Sequence, residues 1–366
     1  MSKLKTLEHK FKSFFFWLCR GFLRQGRPGF ERLDADKIRC ALFLRPEKIG
    51  DMVISFPVFD ALREKYPHIR MSLLGSPRNF AIIKDDPRFE KIFLYRKNLS
   101  DFKTLRAIRR EKYDCVLDMI NDDSATTLFL SQLAAPGSPR IGIGKKRFAE
   151  YYDFNYTHAD GIGRHIIDNT LKLLVPFGIN GDEVNRYAPP YVSPEVLEEV
   201  DEFLKPREGE TLVGFNLSAG KPNRIWPDGK AAESCRRLLA MPEDIRLILI
   251  TAPSDRLRGE KLLEGLEGRV QLVPPGMSLT AVSGLISRLV LLISPDTSLI
   301  HIARSFRVPV VGLYSRAPKN FRRWRPFDQP DGAVVSSDED NIYDITSDQV
   351  VERVVEILKR EKLVAG

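Results

Sequence analysis

Cys40-Ala41-Leu42-Phe43-Leu44 runs straight into Arg45-Pro46-Glu47-Lys48-Ile49-Gly50-Asp51, and a helical pattern follows from Asp51 to Tyr66, ending before Pro67. A short apolar run, a turn and a helix form the first half of a β-α-β unit. The cycle then repeats. Met71–Leu74, Ile92–Tyr95, Cys115–Met119 and Arg140–Ile143 read as strands. Phe102–Lys112, Ser124–Ala134 and His165–Phe177 read as helices, the last stopped by Gly178. This alternation predicts a parallel sheet covered on both faces.

Asn180–Pro194 carries Gly181, Pro189, Pro190 and Pro194 and reads as a linker. The pattern restarts beyond it. Strands are expected over Leu212–Asn216, Arg246–Thr251, Val270–Val273, Val290–Ser294 and Val308–Tyr314. Helices are expected over Asp228–Leu239, Asp255–Leu263, Leu279–Arg288 and Ser298–Phe306, with a closing amphipathic helix over Ser347–Lys359. The fold class is therefore α/β, with two doubly wound domains in tandem. The expected boundaries are 30–185 and 186–345, with an N-terminal helix and linker over 1–29 and the closing helix within 346–366. Ligands of such sheets sit beyond the carboxyl ends of the strands.

Composition supports a folded two-domain chain. The 366 residues are 43% apolar and 29% charged, which excludes a disordered or collagen-like chain. The formal charge of +8 favours an anionic partner. Cys19, Cys40, Cys115 and Cys235 never fall at C-x-x-C spacing, so neither a zinc knuckle nor a redox pair is visible. The five histidines form no compact metal motif, and no tightly bound cofactor is expected.

The N-terminus has its own pattern. Leu4, Leu7, Phe11, Phe14, Phe15, Leu18 and Phe22 recur at steps of three or four, among Lys3, Lys5, Lys10, Lys12, Arg20 and Arg24. The longest uncharged run, Ser13–Cys19, is seven residues, far below the roughly 20 a spanning helix needs. Residues 3–24 are expected to lie as a helix on an anionic membrane surface, or else to pack on the protein's own body. Gly26-Arg27-Pro28-Gly29 reads as a linker.

Four segments can carry chemistry. In the first, Gly50 permits a tight turn and Asp51 begins a helix at the strand's carboxyl edge. Asp51 is either a helix cap or a general base. The second is Asn216-Leu217-Ser218-Ala219-Gly220-Lys221-Pro222-Asn223-Arg224-Ile225-Trp226-Pro227. Its small residues let backbone amides approach an anion, and Lys221 and Arg224 add positive charge suited to a diphosphate. In the third, Ser294-Pro295-Asp296-Thr297-Ser298-Leu299-Ile300-His301, Asp296 or Thr297 can cap the helix that follows. His301 stands about one turn further on. The fourth interleaves Arg316, Lys319, Arg322, Arg323 and Arg325 with Phe321, Trp324 and Phe327. It could stack on bases, hold phosphates or line an interface, but it matches no nucleic-acid module, and no nucleic-acid partner is expected.

Together these segments resemble glycosyltransferase family 9, the bacterial heptosyltransferases of lipopolysaccharide core assembly. The family's L-G-D turn reads here as Ile49-Gly50-Asp51, followed by Ala61-Leu62-Arg63 and Tyr66-Pro67. Its N-P-G-A-S, basic residue and W-P read as Asn216–Gly220, Arg224 and Trp226-Pro227. Its S-x-D-T-G-x-x-H-x-A reads as Ser294–Ala303, and V-P-V-V follows at Val308–Val311. The resemblance runs over residues 38 to 360.

The resemblance implies a GT-B architecture, with two Rossmann-like domains facing across a cleft. It implies inverting transfer of a heptose or related sugar from a nucleotide sugar, typically ADP-heptose, to a lipid-A-linked core saccharide. Asp51 would be the catalytic base. Ser218, Lys221, Arg224, Asp296, Thr297, Ser298 and His301 would bind the donor. Arg224 would meet the diphosphate, Asp296 the sugar hydroxyls, and Thr297 and Ser298 the phosphates through backbone amides. Arg45 and Lys48 are candidates for acceptor contact. The protein would be cytoplasmic and peripheral on the inner face of the inner membrane. Ser298 stands in place of the family's glycine, and Arg316–Lys319 replaces G-P-T-D-P, so another donor sugar, a nucleotide-sugar epimerase or a non-catalytic relative remain alternatives.

Overall fold

The structure is a computed structural model and describes residues 21, 23–27, 31–157, 165–266 and 269–365. The expected membrane helix lies almost wholly outside the described residues. The chain divides into two compact units. One holds the described residues of Met1–Phe80, Pro87–Gly161 and Ile167–Asn185, and the other those of Ala81–Asp86, Ile162–Ile166 and Arg186–Gly366.

The first unit is a six-stranded sheet. In chain order it comprises β1 (Cys40–Leu44), α1 (Ile49–Val53), α2 (Phe56–Lys65), β2 (Arg70–Gly75), β3 (Lys91–Leu94), α3 (Asp101–Arg110), β4 (Cys115–Asn121), α4 (Ala125–Ala134), β5 (Arg140–Ile143), β6 (Phe154–Tyr156) and α5 (Ile166–Leu171). The strand order is β3-β2-β1-β4-β5-β6 and every ladder is parallel. All five side chains of β1 are buried, which explains why its sequence shows no alternation. The order reverses between β1 and β4, so the turns after these two strands open at the switch point where ligands of such sheets bind.

The second unit repeats this plan. It comprises α6 (Pro194–Leu204), β7 (Thr211–Asn216), α7 (Asp228–Leu239), β8 (Ile245–Ile250), α8 (Arg256–Glu264), β9 (Val270–Leu272), α9 (Leu279–Ser287), β10 (Leu291–Pro295), α10 (Ser298–Ser305), β11 (Val310–Tyr314), α11 (Pro318–Trp324), β12 (Ala333–Val335) and α12 (Ser347–Ala365). Its order, β12-β11-β10-β7-β8-β9, places the switch between β7 and β10, again with parallel ladders throughout. One core joins Phe215, Leu247, Ile293 and Val311 of the sheet to Cys235 and Leu238 of α7 and to Val350, Val354 and Ile357 of α12. Each such side chain contributes about 1.5–3 kcal/mol by leaving water. The closing helix is thus part of the second unit's core.

Several elements differ from the sequence reading. The helix expected over 51–66 is broken at Ile54-Ser55 into α1 and α2. Pro57 is the reason: it has no N–H to give residue 53, and its ring would clash with that carbonyl in a continuous helix. Gly50 is not a turn residue; it is the second residue of α1 and does not take the left-handed conformation. The helix expected to Phe177 passes into a tight 3-10 segment over Lys172–Phe177 that contains Pro176, and Gly178 closes it with φ 67°. Strands β6 and β12 and helices α6 and α11 were not anticipated.

Of the expected linker Gly26–Gly29, Pro28 and Gly29 lie outside the described residues, and Gly26 packs on the protein body. The Gly26 N–H donates to the Glu150 carbonyl at 2.7 Å, and a Cβ at Gly26 would lie 2.2 Å from the Tyr152 carbonyl oxygen. The Arg24 guanidinium bonds Asp153 at 2.7 Å, so it belongs to the protein body and not to a membrane-facing helix.

Candidate active site

At the switch point of the first sheet, Asp51 sits in the first turn of α1. It is not the cap, because Lys48 holds that position and makes no capping bond. A carboxylate there is favoured by the helix dipole. Arg45 fixes the loop that carries it. Its Nε donates to the Asp51 carbonyl at 2.9 Å, and Ser55 Oγ donates to the same oxygen at 2.8 Å. The Arg45 guanidinium also bonds the Met119 carbonyl and the Glu47 carboxylate, the latter at 2.6 Å. Its Nη2 has no hydrogen-bond partner and lies 3.8 Å from Asp51 Oδ1.

Arg45 is fully buried. Contact with an acceptor is therefore not its placement; its charge holds Asp51 and Glu47 instead. Lys48 is exposed at the start of α1.

Four residues of this edge, Glu47, Asp118, Lys145 and Tyr152, escaped the sequence reading. Glu47 lies beside Arg45, and burial pushes its carboxyl up to about 7, against the pull of Arg45 and with the push of Asp51 and Asp118. Asp118, in the middle of β4, is fully buried. It accepts from Tyr152 Oη at 2.5 Å and Thr127 Oγ1 at 2.7 Å, and pairs with Lys145 Nζ at 2.9 Å. Lys145 also donates to the Ile120 and Asp122 carbonyls. The one sequence signal was an aspartate interrupting the apolar run Cys115–Met119. Burial, then the neighbouring Asp118 charge, raises the Tyr152 hydroxyl well above its usual range, so it stays a donor.

The second unit's switch point gathers the other candidates. Asn216, at the end of β7, donates through Nδ2 to Ser294 Oγ at 2.9 Å and to Thr297 Oγ1 at 3.2 Å. This ties the end of β7 to that of β10. Thr297 caps α10, accepting from the Leu299 N–H at 3.3 Å, and Ser298 opens the helix. The Ser218 hydroxyl accepts from the Ala252 N–H at 2.8 Å, so it joins two loops. Lys221 is exposed, and a Cβ added at the adjacent Gly220 would stand in open space. Arg224 is paired with Asp296, Nη1 to Oδ2, at 2.8 Å.

Arg258, unmarked in the sequence, holds this loop at both ends. Its guanidinium bonds the Leu217 and Trp226 carbonyls and the Asp228 carboxylate. His301 is buried, its ring tilted against Trp324 at 5.5 Å and edge-on to His165 at 6.3 Å between ring centres. His165 Nε2 lies 2.9 Å from the Arg325 carbonyl, and burial, followed by the neighbouring His301, pushes its pKa down to about 3. The aromatic members of the 316–327 run pack on the protein: Phe321 on Tyr314, Trp324 on His301, and Phe327 on Tyr187 and His165. They are thus engaged in internal ring contacts and do not form a stacking platform for bases. Among the described residues no group of three His, Cys, Asp or Glu could hold a metal ion, and no helix is long and apolar enough to cross a membrane.

Two doubly wound sheets of one strand order, each with a charged loop at its switch point, define a GT-B glycosyltransferase fold. The model of glycosyltransferase family 9 (heptosyltransferase) matches residues 102–353, and the chain belongs to that family of glycosyltransferases. The chain is 24% identical over 319 residues to the lipopolysaccharide core heptosyltransferase OpsX of Haemophilus influenzae, spanning 84% of this chain and 86% of that protein. The family 9 glycosyltransferase of Veillonella parvula superposes with a TM-score of 0.73 at 19% identity, covering 90% of this chain and 99% of that one. Escherichia coli heptosyltransferase WaaC with ADP superposes with a TM-score of 0.68 at 17% identity, covering 88% of this chain and 98% of that one.

Proposed function

We propose that this glycosyltransferase transfers a heptose from ADP-heptose, with inversion, to a lipid-A-linked core saccharide in lipopolysaccharide synthesis. The relatives' names support the pathway and the sugar: OpsX is a lipopolysaccharide core heptosyltransferase, and WaaC was solved with ADP. The observation that carries the mechanism is the placement of Asp51. Its carboxylate stands at the carboxyl edge of the first sheet, is not the helix cap, and is steadied from beneath by a buried arginine.

Asp51 takes the proton of the acceptor hydroxyl as that oxygen attacks the anomeric carbon. The bond from that carbon to the diphosphate oxygen breaks on the opposite face, and the nucleoside diphosphate leaves with the electron pair. Arg224, Lys221 and the backbone amides at the start of α10 meet the charge that builds on it. Asp296 binds donor-sugar hydroxyls, and Ser218 and His301 hold the loops around the donor. The transfer occurs at the cytoplasmic face of the inner membrane, to which residues 3–22 bind. A nucleotide-sugar panel by thermal shift tests the donor. Stabilisation by ADP-heptose and not by UDP-, GDP- or CMP-sugars is expected, since binding to the native state raises the melting temperature. Stabilisation by another donor alone would overturn the choice of sugar.

A further inference from the structure

The loop after β3 and the first turns of α3 present an uncommon surface. Leu99 is 82% exposed and Phe102 is 73% exposed. Neither is carried on a loose tip. The buried Asp101 carboxylate accepts from the Arg96 N–H at 2.8 Å and the Asn98 N–H at 3.1 Å, while the Asn98 side chain accepts from the Ser100 N–H at 2.9 Å. This hydrogen-bonded turn holds Leu99 outward. Helix α3 packs through Leu105 and Ile108 against the first unit's core. Phe102 and Arg106, four residues apart, lie together on the opposite, solvent face.

The charge around these two side chains has one sign. Arg96, Lys97, Lys103 and Arg106 are all exposed, and none makes an ion pair among the described residues. The acids of the segment are engaged elsewhere: Asp101 is buried in its turn, and Glu111 pairs with Lys91 at 2.6 Å. Water gains nothing from an exposed leucine and phenylalanine. An anionic bilayer accepts both in its acyl boundary and attracts the four cations to its headgroups. A nucleic acid offers the cations as much but gives the leucine no apolar phase. The patch also follows the carboxyl end of β3, and the order β3-β2-β1 puts that strand about 10 Å, two strand spacings, from the strand that leads to Asp51.

We infer that Leu99 and Phe102, ringed by Arg96, Lys97, Lys103 and Arg106, form a docking surface for an anionic lipid bilayer on the first unit. The patch stands on exposure and charge; only the sense of its position near Asp51 rests on the reading of a lipid-linked acceptor. That position would bring such an acceptor to the edge where its hydroxyl is deprotonated. Residues 3–22 would then be a second attachment and not the sole one.

The test is vesicle co-sedimentation of the full chain, with phosphatidylglycerol–phosphatidylethanolamine vesicles against phosphatidylcholine alone. Leu99→Ser/Phe102→Ser is expected to cut partitioning to the anionic vesicles about tenfold. Lys103→Glu/Arg106→Glu is expected to do the same and to flatten the salt dependence. Both pairs are exposed, so the melting temperature should hold. A polarity-sensitive dye on Leu99→Cys, in a Cys19→Ser background, should shift to the blue on anionic vesicles only. The inference is overturned if both variants bind like the native chain and the dye stays in a watery environment while the protein is bound. It is overturned equally if the double serine variant dissociates a dimer without changing vesicle binding. No turnover is needed, so a chain that docks through this patch yet transfers no sugar would contradict the proposed reaction and leave the patch standing.

Discussion

Arg224 and Asp296 hold each other: Nη1 to Oδ2 is 2.8 Å, with both side chains mostly buried. In the proposed reaction these residues meet two parts of the donor, the diphosphate and the sugar hydroxyls. The structure shows that each also occupies the other. A diphosphate bound at Arg224, as proposed, would compete with Asp296 for the guanidinium. Asp296→Asn should therefore tighten binding of ADP alone, by about threefold to tenfold, while turnover falls. Arg224→Ala should weaken ADP binding and take the guanidinium away from Asp296. Calorimetric titration with ADP distinguishes the two variants; weaker ADP binding to Asp296→Asn would contradict the competition.

Arg258 joins both ends of the loop that carries Lys221 and Arg224. Replacing it with alanine strands two carbonyls and the Asp228 carboxylate. A stability loss of roughly 1–3 kcal/mol is expected. ADP affinity should fall as well, because the loop loses its anchor although no ligand-facing side chain changes. Denaturant unfolding beside ADP titration checks this. Unchanged affinity in a folded variant would mean that the loop holds its shape without the arginine.

Glu47 gives a pH dependence with a definite sign. Its carboxyl titrates at about 7 in the fold, raised chiefly by burial, whereas an unfolded glutamate titrates near ~4.3. Between these values the folded chain binds the extra proton, so stability falls as pH rises through this window. Below it the group is neutral in both states and contributes nothing. Glu47→Gln mimics the neutral acid. Its melting temperature should exceed that of the native chain by a few degrees at pH 8, and the gap should close toward pH 4. A constant gap across the range would remove Glu47 as the titrating group.

Much of this was legible in the sequence, for physical reasons. Strands buried on both faces, such as Cys40–Leu44 and Leu291–Pro295, announce themselves as apolar runs. Helix α7 was legible to the residue because Trp226-Pro227 opens it and its apolar positions keep one spacing. The three-residue strands β6 and β12 were not, since segments so short carry no periodicity. The break at Ser55 was hidden because Phe56 and Pro57 still fit the helical spacing, and only the missing N–H stops the ladder. Asp51 and Arg224 stood out in the sequence because they lie in the charged segments that follow the apolar strands β1 and β7. Lys145, Arg258 and the Arg224–Asp296 pair did not. Their roles depend on contacts between segments far apart in the chain, which no local pattern records.

The proposed reaction stands or falls with Asp51 as the base that activates the acceptor. Turnover and donor binding of Asp51→Ala, measured on the same preparation, test it most directly. Its side chain supports no helix cap, so the fold and the affinity for ADP-heptose should be retained. Transfer should fall by about 10²–10⁴-fold. Transfer within a few-fold of the native rate, or loss of donor binding together with the fold, would contradict the claim and return Asp51 to a structural role.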